Sequence, residues 1–145
     1  MAITYPPSTL RTVALTIFGE ARGSGIRGTI AVANVIANRA ASPGWWGNDP
    51  ESVCLARDQF SCWLPGPDRD AMLAADWMTA GYAESFAIAA AMLNMPGFPE
   101  LPRLVDDATS YYATTMRDPP RWAAGMVFVR EIGGQRFYEL PAPGA

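Results

Sequence analysis

The chain has 145 residues, of which 50% are hydrophobic and 17% are charged, and its formal net charge is −3. This length and composition are typical of one compact globular domain, so we expect residues 1–145 to form a single domain and not a disordered chain. The slightly negative charge gives no reason to expect nucleic acid as a partner.

The basic residues are unusual, because all eleven are Arg and the chain contains neither His nor Lys. Without His there is no Ser-His-Asp triad, no Cys-His pair and no His-ligated zinc site. Without Lys there is no Schiff base and no phosphate-binding loop of the usual type. Acid–base chemistry must come from carboxylates, tyrosines or the two cysteines, and we expect neither a metal ion nor a cofactor.

The two cysteines, Cys54 and Cys62, are too few for a disulfide framework and lack partners for a metal site. We expect small buried thiols in a reducing compartment. A single bridge between Cys54 and Cys62 is the alternative for a protein that works outside the cytoplasm.

The N-terminus lacks the features of a targeting segment. No basic region precedes its first apolar run, and no small-residue cleavage site follows that run. The longest apolar run, Phe86–Leu93, is far shorter than the roughly 20 residues that span a bilayer. We expect a protein that is made in the cytoplasm without a signal peptide and does not insert stably into a membrane.

The first apolar segment predicts an amphipathic helix over Thr9–Phe18, with Ser8 as its N-cap. Its buried face has the i, i+3, i+4, i+7 spacing of Leu10, Val13, Ala14 and Ile17. Glu20 lies one heptad beyond Val13, so at roughly 100° per residue it continues this face. Burial and the negative end of the helix dipole favour the protonated carboxyl group that a general acid needs. The spacing alone fits equally well with a Glu20 that lies on the surface and pairs with Arg22.

A second helix is predicted over Thr29–Ala40. Its side chains are apolar around most of the circumference, apart from Asn34 and Asn38, so we expect a central, buried helix. Both amides are expected to satisfy neighbouring polar groups. The Pro- and Gly-rich loop that follows carries Trp45 and Trp46, which it either exposes or packs over the core.

The middle of the chain is predicted to contain one extended segment followed by helices. In an extended Asp58–Trp63, alternate side chains would point to opposite faces, one polar with an aromatic ring and the other apolar. Helix-forming residues dominate from Arg69 to Met95, where we expect core scaffolding that Gly81 divides into two helices.

The last third of the chain is richer in strand and turn signals. Residues 108–114 are rich in hydroxyl and aromatic side chains, and 119–122 is predicted to be an extended or turn segment. The β-type runs Met126–Ile132 and Gln135–Leu140 flank Gly133-Gly134, which predicts a β-hairpin.

Five short motifs follow one another in a characteristic order. They are Phe18–Arg22, Ala31–Arg39, Gln59–Trp63, Ala108–Tyr112 and Ile132–Tyr138. In these motifs and their order the chain resembles the cell wall hydrolases of the spore-cortex-lytic (SleB-like) type, a family that phages also use as endolysins. The match extends over nearly the whole chain, and the order of the five motifs makes it more specific than any one of them.

The resemblance implies a small lysozyme-like fold of the α+β class, mostly helical with a minor β-hairpin. It also implies cleavage of the glycan strand of peptidoglycan between N-acetylmuramic acid and N-acetylglucosamine, with Glu20 as the catalytic acid. The residues that would line the sugar groove are Gln59, Phe60, Ser61, Tyr111 and Tyr112. One departure from the family is Ser110, since phage relatives often have His before the Tyr pair.

Aromatic rings add to this predicted groove, because they offer a large apolar plate to the face of a sugar. We expect Trp63 and Trp122 to stack on substrate together with Tyr111 and Tyr112. Ordinary core packing is the alternative for each ring, and it is the expectation for Trp77.

The number of carboxylates bears on the mechanism, since most glycosidases need two. No second carboxylate shares the setting of Glu20, and the best candidates, Asp58 and the pair Asp106-Asp107, are also typical of turns. A lytic transglycosylase needs only one, because the 6-hydroxyl of muramic acid attacks the anomeric carbon and one Glu serves as acid and then as base. Transglycosylation is therefore favoured. The alternatives are a hydrolytic muramidase that uses Asp58 or Asp107, and a non-catalytic wall-binding or virion structural module.

The expected biological setting is host lysis by an endolysin. A protein without an export signal would need a pore-forming holin to reach the peptidoglycan glycan strands in the periplasm. We expect it to act there as a monomer.

Overall fold

The computed structural model describes residues 4–42 and 44–142, so the ends of the predicted domain, 1–3 and 143–145, lie outside the described residues. Five α-helices are present in the described part: α1 Pro7–Glu20, α2 Gly25–Ala41, α3 Pro50–Leu55, α4 Pro67–Leu73 and α5 Tyr82–Met92. It also contains the 3₁₀ turns Ser61–Trp63 and Arg121–Gly125 and the strands β1 Ser110–Ala113, β2 Val127–Ile132 and β3 Gln135–Glu139. The predicted α+β, mostly helical class is confirmed. No helix within these residues is long and apolar enough to cross a membrane.

Helix α1 is longer than predicted at both ends. It begins at Pro7 and has no side-chain cap, so the prediction of Ser8 as the N-cap is wrong. The fixed φ of Pro suits the first helical turn, where its missing N–H would lack a helical partner in any case. At the other end the N–H of Ala21 donates to the carbonyl oxygen of Ile17 (3.0 Å), which keeps Glu20 inside the last turn.

Helix α2 is the central element, as its apolar circumference predicts. It extends from Gly25 to Ala41 and so contains the predicted helix. One side packs with α1, α3 and α5 in a buried cluster. The other side packs against the sheet in a second cluster of Ala31, Val35, Val105, Ala108, Ile132 and Phe137.

Two amides join α2 to the segment that leads into the sheet. The Nδ2 of Asn34 donates to the carbonyl oxygen of Pro102 (3.0 Å), and its Oδ1 accepts from the N–H of Leu104 (2.8 Å). One turn later the Nδ2 of Asn38 donates to the carbonyl oxygen of Ala108 (2.8 Å). The prediction that these amides satisfy neighbouring polar groups is confirmed.

The segment before α4 is a turn, so the extended conformation predicted for Asp58–Trp63 is wrong. The N–H of Trp63 donates to the carbonyl oxygen of Phe60 (3.1 Å), which curls the chain into a 3₁₀ turn. Phe60 and Cys62 are nevertheless buried, because both side chains pack into the helical cluster. The predicted apolar face therefore exists without the predicted strand.

Two helices, α4 and α5, occupy the region from Arg69 to Met95, and Gly81 precedes the second as predicted. Gly81 has a φ of +86°, a left-handed conformation that Gly adopts without steric cost. The linker between the helices carries Trp77 and Met78, which are 61% and 92% exposed. The expectation of core scaffolding is therefore wrong for this linker.

The predicted hairpin forms, with β2 and β3 antiparallel around Gly133-Gly134. Strand β1, which the sequence did not predict, pairs with the other edge of β3 and gives the order β1-β3-β2. In this register Tyr111 lies opposite the buried Phe137. The third strand thereby ties the motif tyrosines to the sheet.

Cys54 and Cys62 are buried free thiols, as expected, and the alternative disulfide bridge is wrong. Burial raises the pKa of Cys54 to about 12. Burial also raises the pKa of Cys62, and the neighbouring carboxylate of Glu20 adds to that effect. Both thiols therefore keep their protons at neutral pH.

Candidate active site

Glu20, at the end of α1, is held by donors from two other elements. Its Oε1 accepts a hydrogen bond from the phenol of Tyr111 (2.7 Å). Its Oε2 accepts from the backbone N–H of Cys62 (3.1 Å) and from the hydroxyl of Ser61 (3.4 Å). Together these donors fix the orientation of the carboxylate.

The alternative in which Glu20 is a surface residue paired with Arg22 is wrong. The residue is half-buried, and within residues 4–42 and 44–142 no ion pair joins it to Arg22. The guanidinium of Arg22 instead lies 4.8 Å from the ring centroid of Phe18.

Close packing between α1 and the first 3₁₀ turn places two of these donors. A Cβ at Gly19 would come 2.7 Å from the Cβ of Cys62 and 2.8 Å from the Sδ of Met72. The indole N–H of Trp63 also donates to the Oγ1 of Thr16 (2.9 Å). The absence of a side chain at Gly19 therefore lets the turn approach the end of α1.

Tyr111 reaches Glu20 from β1 and packs against both buried clusters. Burial raises the pKa of Tyr111 well above its usual value, and the carboxylate of Glu20 raises it further. The phenol therefore keeps its proton at neutral and mildly alkaline pH and remains a hydrogen-bond donor to Glu20.

A groove of about 660 Å³ opens over Glu20. Its exposed and half-buried aromatic residues are Trp45, Tyr111, Tyr112 and Trp122. Its neutral polar residues are Gln59, Ser61, Ser110 and Gln135. Aromatic faces beside amide and hydroxyl groups suit a ligand that is both ring-shaped and rich in hydroxyls.

A second depression of about 430 Å³ adjoins this groove. Ser61 and Leu64 line both, and the second one is also lined by Gly19, Arg22 and Asp68. Glu20 lines the larger groove, and Ser61, which donates to Glu20, lies where the two depressions meet. The surface can therefore accommodate a ligand longer than one sugar unit.

The structure brings five of the seven predicted substrate-binding residues together in the groove: Gln59, Ser61, Tyr111, Tyr112 and Trp122. Trp122 and Tyr112 also contact each other edge to face, with centroids 6.0 Å apart. Direct contact between these side chains and a substrate stays a prediction.

The other two, Phe60 and Trp63, do not line the groove. Phe60 is 2% exposed and lies below the guanidinium of Arg39, 5.0 Å from its ring centroid. Trp63 packs against the helical cluster, with its indole N–H bonded to Thr16. The prediction that both rings contact sugar does not fit these positions, because the 3₁₀ turn directs them toward the core.

Sequence reasoning missed Arg39 and did not decide between Trp45 and Trp46. Trp45 is 76% exposed on the groove wall, whereas Trp46 is 6% exposed and donates its indole N–H to the carbonyl oxygen of Arg39 (3.0 Å). The signal for Arg39 was its place at the end of the Ala31–Arg39 motif.

The candidate second carboxylates differ in position. Asp58 lines the groove with a φ of +61°, and its Oδ2 lies 3.6 Å from the Nε of Arg57. Asp107 pairs with Arg103 at 2.8 Å, and neither Asp106 nor Asp107 is among the described residues that line the groove. Of the three, Asp58 is therefore the one that shares the groove with Glu20.

The architecture is that of small lysozyme-like α+β proteins, as the resemblance implied. It matches the catalytic domain of the germination-specific lytic transglycosylase SleB from Bacillus anthracis with a TM-score of 0.68 and 19% identity, covering 96% of this chain and 100% of that one. It matches the catalytic domain of the Bacillus cereus SleB protein equally well, with a TM-score of 0.68, 19% identity, and coverage of 94% of this chain and 93% of that one.

The chain belongs to the cell wall hydrolase family, whose model matches residues 23–138. The matched range begins just after Glu20, so this match does not test that residue. A comparison with curated proteins finds no match.

Proposed function

We propose that this protein is a lytic transglycosylase that cleaves the glycan strand of peptidoglycan between N-acetylmuramic acid and N-acetylglucosamine. The observation that carries the proposal is the setting of Glu20, a carboxylate held by three donors beside an aromatic and polar groove. Membership of the cell wall hydrolase family supports the substrate. The name of the Bacillus anthracis structure, a lytic transglycosylase, supports the reaction.

In the proposed reaction one side chain carries the proton in both steps. The carboxyl group of Glu20 gives its proton to the glycosidic oxygen as the bond from that oxygen to C1 of muramic acid breaks. The 6-hydroxyl of the same muramic acid then attacks C1, and its proton passes to the Glu20 carboxylate. The products are a free hydroxyl on the departing sugar and a 1,6-anhydromuramic end, and Glu20 regains its starting state.

The shape of the surface supports a polymeric substrate. A glycan strand that crosses Ser61 would occupy both depressions and place one of its bonds beside Glu20. The rings of Tyr112 and Trp122 would face sugar rings, while Gln59 would bind hydroxyl groups. Tyr111 would orient Glu20 instead of stacking, because its hydroxyl is already bonded to that carboxylate.

A hydrolytic muramidase is the second candidate, and the position of Asp58 in the groove is the observation in its favour. A carboxylate there could activate a water molecule for attack on C1. Against this role, the Asp58 side chain is 69% exposed and lies near Arg57. The three described donors, Ser61, Cys62 and Tyr111, bond to Glu20 instead. We therefore rank hydrolysis below transglycosylation.

The deciding experiment is mass spectrometry of the fragments that the protein releases from purified peptidoglycan sacculi. We expect fragments with 1,6-anhydromuramic ends from the wild type and from Asp58→Asn, and none from folded Glu20→Gln. Asp107→Asn is the matched control, since Asp107 is paired with Arg103 and does not line the groove.

Other outcomes would select the other candidates. Reducing muramic ends that disappear in Asp58→Asn would establish hydrolysis. If neither the wild type nor Glu20→Gln released fragments while both bound sacculi, the protein would be a wall-binding or virion structural module.

We further propose that the enzyme serves as an endolysin, acts as a monomer and reaches the wall through a holin pore. The support is its resemblance to a family that includes phage endolysins. Expression inside a Gram-negative host should then cause lysis only when the inner membrane is opened by a co-expressed holin or by chloroform. Lysis at the same rate without either treatment would contradict the holin requirement.

A further inference from the structure

Arg39 is a buried cation in the groove that the proposed reaction leaves without a role. Its side chain is 6% exposed, and the guanidinium lies 5.0 Å from the ring centroid of Phe60 and 5.5 Å from that of Trp46. Its Nε donates to the carbonyl oxygen of Thr109 (2.7 Å). Together the two rings and the carbonyl oxygen of Thr109 hold the guanidinium in one position.

This charge has no direct counter-ion. Across residues 4–42 and 44–142, no carboxylate lies within 4.0 Å of Arg39, and its Nη1 has no hydrogen-bond partner. A buried charge without a paired group is costly to the folded protein. The negative charge that balances Arg39 must therefore act over a longer distance.

The negative charge is that of Glu20. Burial lowers the pKa of Arg39, and three neighbouring groups oppose that effect: Tyr111, Cys54 and Glu20. Of these, Tyr111 and Cys54 are neutral at pH 7, because burial raises the pKa of both. The carboxylate of Glu20 is therefore the anion among the three, and it lines the same groove as Arg39.

We propose that Arg39 is a positioning residue that acts through Glu20, by stabilising the carboxylate that forms when Glu20 gives its proton to the glycosidic oxygen. This inference rests on the proposed function. Negative charge develops on Glu20 as the glycosidic bond breaks, and a cation already fixed nearby stabilises that charge without having to reorganise. The pair of rings around the guanidinium keeps water away from it and so strengthens its effect on the carboxylate.

The groups that face Glu20 leave this role to Arg39. Tyr111 from β1 and Cys62 from the 3₁₀ turn are neutral donors. Among the charged residues that line the groove in the described part of the chain, Asp58 is the other anion and Arg39 is the cation. Removal of the Arg39 charge should therefore make Glu20 harder to ionise.

The test is a ¹³C-carboxyl NMR titration of Glu20 in the wild type and in three variants, with the signal assigned by its loss in Glu20→Gln. Arg39→Met removes the charge and keeps an apolar stem over the rings, whereas Arg39→Lys keeps the charge. Arg103→Met is the matched control, because it removes an exposed Arg outside the groove.

We expect the midpoint of Glu20 to rise by about one pH unit in Arg39→Met, equivalent to about tenfold in the ionisation equilibrium, and to stay within about 0.3 units in Arg39→Lys and Arg103→Met. Because Glu20 must carry its proton to act as the acid, the alkaline limb of the pH–rate profile for fragment release should move by the same amount. Arg39→Gln replaces Arg39→Met if the latter does not fold, since its amide can still donate to Thr109.

An unchanged Glu20 midpoint in a folded charge-removing variant would overturn the inference. So would an Arg39→Lys variant as perturbed as Arg39→Met, because the effect would then come from packing of the guanidinium and not from its charge. The titration does not depend on activity. A shifted midpoint in a protein that releases no fragments would therefore reject the proposed function and retain the coupling between Arg39 and Glu20.

Discussion

The phenol of Tyr111 makes the shortest contact with Glu20, at 2.7 Å. We expect Tyr111→Phe to lower kcat for glycan cleavage by about 10- to 100-fold with little change in KM, because a hydrogen bond to a charged group contributes about 1.5–3 kcal/mol. Initial rates of fragment release from soluble glycan strands would measure both constants.

Tyr112→Phe is the control for this prediction. Its hydroxyl lies 3.3 Å from the hydroxyl of Tyr138 and not near Glu20. We expect this variant to keep kcat within about threefold, since the lost bond joins two neutral groups. A rise in KM alone for Tyr111→Phe would indicate that Tyr111 binds sugar and does not orient Glu20.

The sequence predicted the roles of some individual residues better than those of others. Glu20 was identified because helical spacing placed it on an apolar face and a motif surrounded it. Arg39 ends the Ala31–Arg39 motif, but residue types alone do not indicate that an Arg is buried without a counter-ion. Phe60 was assigned to the groove from its motif, but only the path of the backbone shows that its ring points into the core.

At the scale of elements, the approach of the first 3₁₀ turn to α1 depends on Gly19. We expect Gly19→Ala to destabilise the protein by about 1–3 kcal/mol, because the added Cβ would overlap Cys62 and Met72. The turn would also move away from Glu20 and weaken the hydrogen bond from the Cys62 N–H to its carboxylate. The rate of fragment release should therefore fall as well. Urea unfolding and the fragment assay measure the two effects.

Gly125→Ala provides the matched control, since a Cβ at Gly125 would meet nothing within 4 Å. Its stability should stay within about 0.5 kcal/mol of the wild type. If Gly19→Ala were equally well tolerated, the contact between the turn and the helix would not be what places the Cys62 donor.

Local sequence patterns predicted the elements that a short stretch of residues is enough to define. Helix α2 is apolar around most of its circumference, and the hairpin surrounds Gly133-Gly134, so both are visible in short windows. Strand β1 was missed because it pairs with β3 across a long separation, as in Tyr111 opposite Phe137. The alternating polarity of Asp58–Trp63 predicts an extended segment, but the same pattern also fits the turn that the structure contains.

For the molecule as a whole, the two buried thiols and the buried phenol of Tyr111 predict a loss of stability in alkali. Burial raises the pKa of Cys54 from 9.0 to about 12, and it also raises the pKa of Cys62 and Tyr111. The unfolded chain therefore loses these protons at lower pH than the folded protein does. Stability should be complete below about pH 8 and should fall from about pH 9 to 12, by about 1.4 kcal/mol per pH unit for each group.

Urea unfolding between pH 7 and 11 would test this prediction. Cys54→Ala should be less stable at pH 7, because it leaves a small cavity, but its stability should fall less steeply above pH 9. Val53→Ala, at an equally buried neighbour that does not titrate, should lose stability and keep the wild-type slope. If stability fell equally steeply with pH in all three proteins, Cys54 would not contribute to the loss of stability in alkali.

The solvent exposure of Trp45 gives the groove an intrinsic fluorophore. Its indole is 76% exposed on the groove wall, whereas the adjacent Trp46 is buried. A glycan strand bound to Glu20→Gln should cover Trp45, shift the emission to shorter wavelengths and reduce quenching by iodide. Trp45→Phe should remove the contribution of Trp45, and the change that is left should come from Trp122, the other exposed indole of the groove among the described residues. Occupancy of the groove could therefore be followed in real time without a labelled substrate.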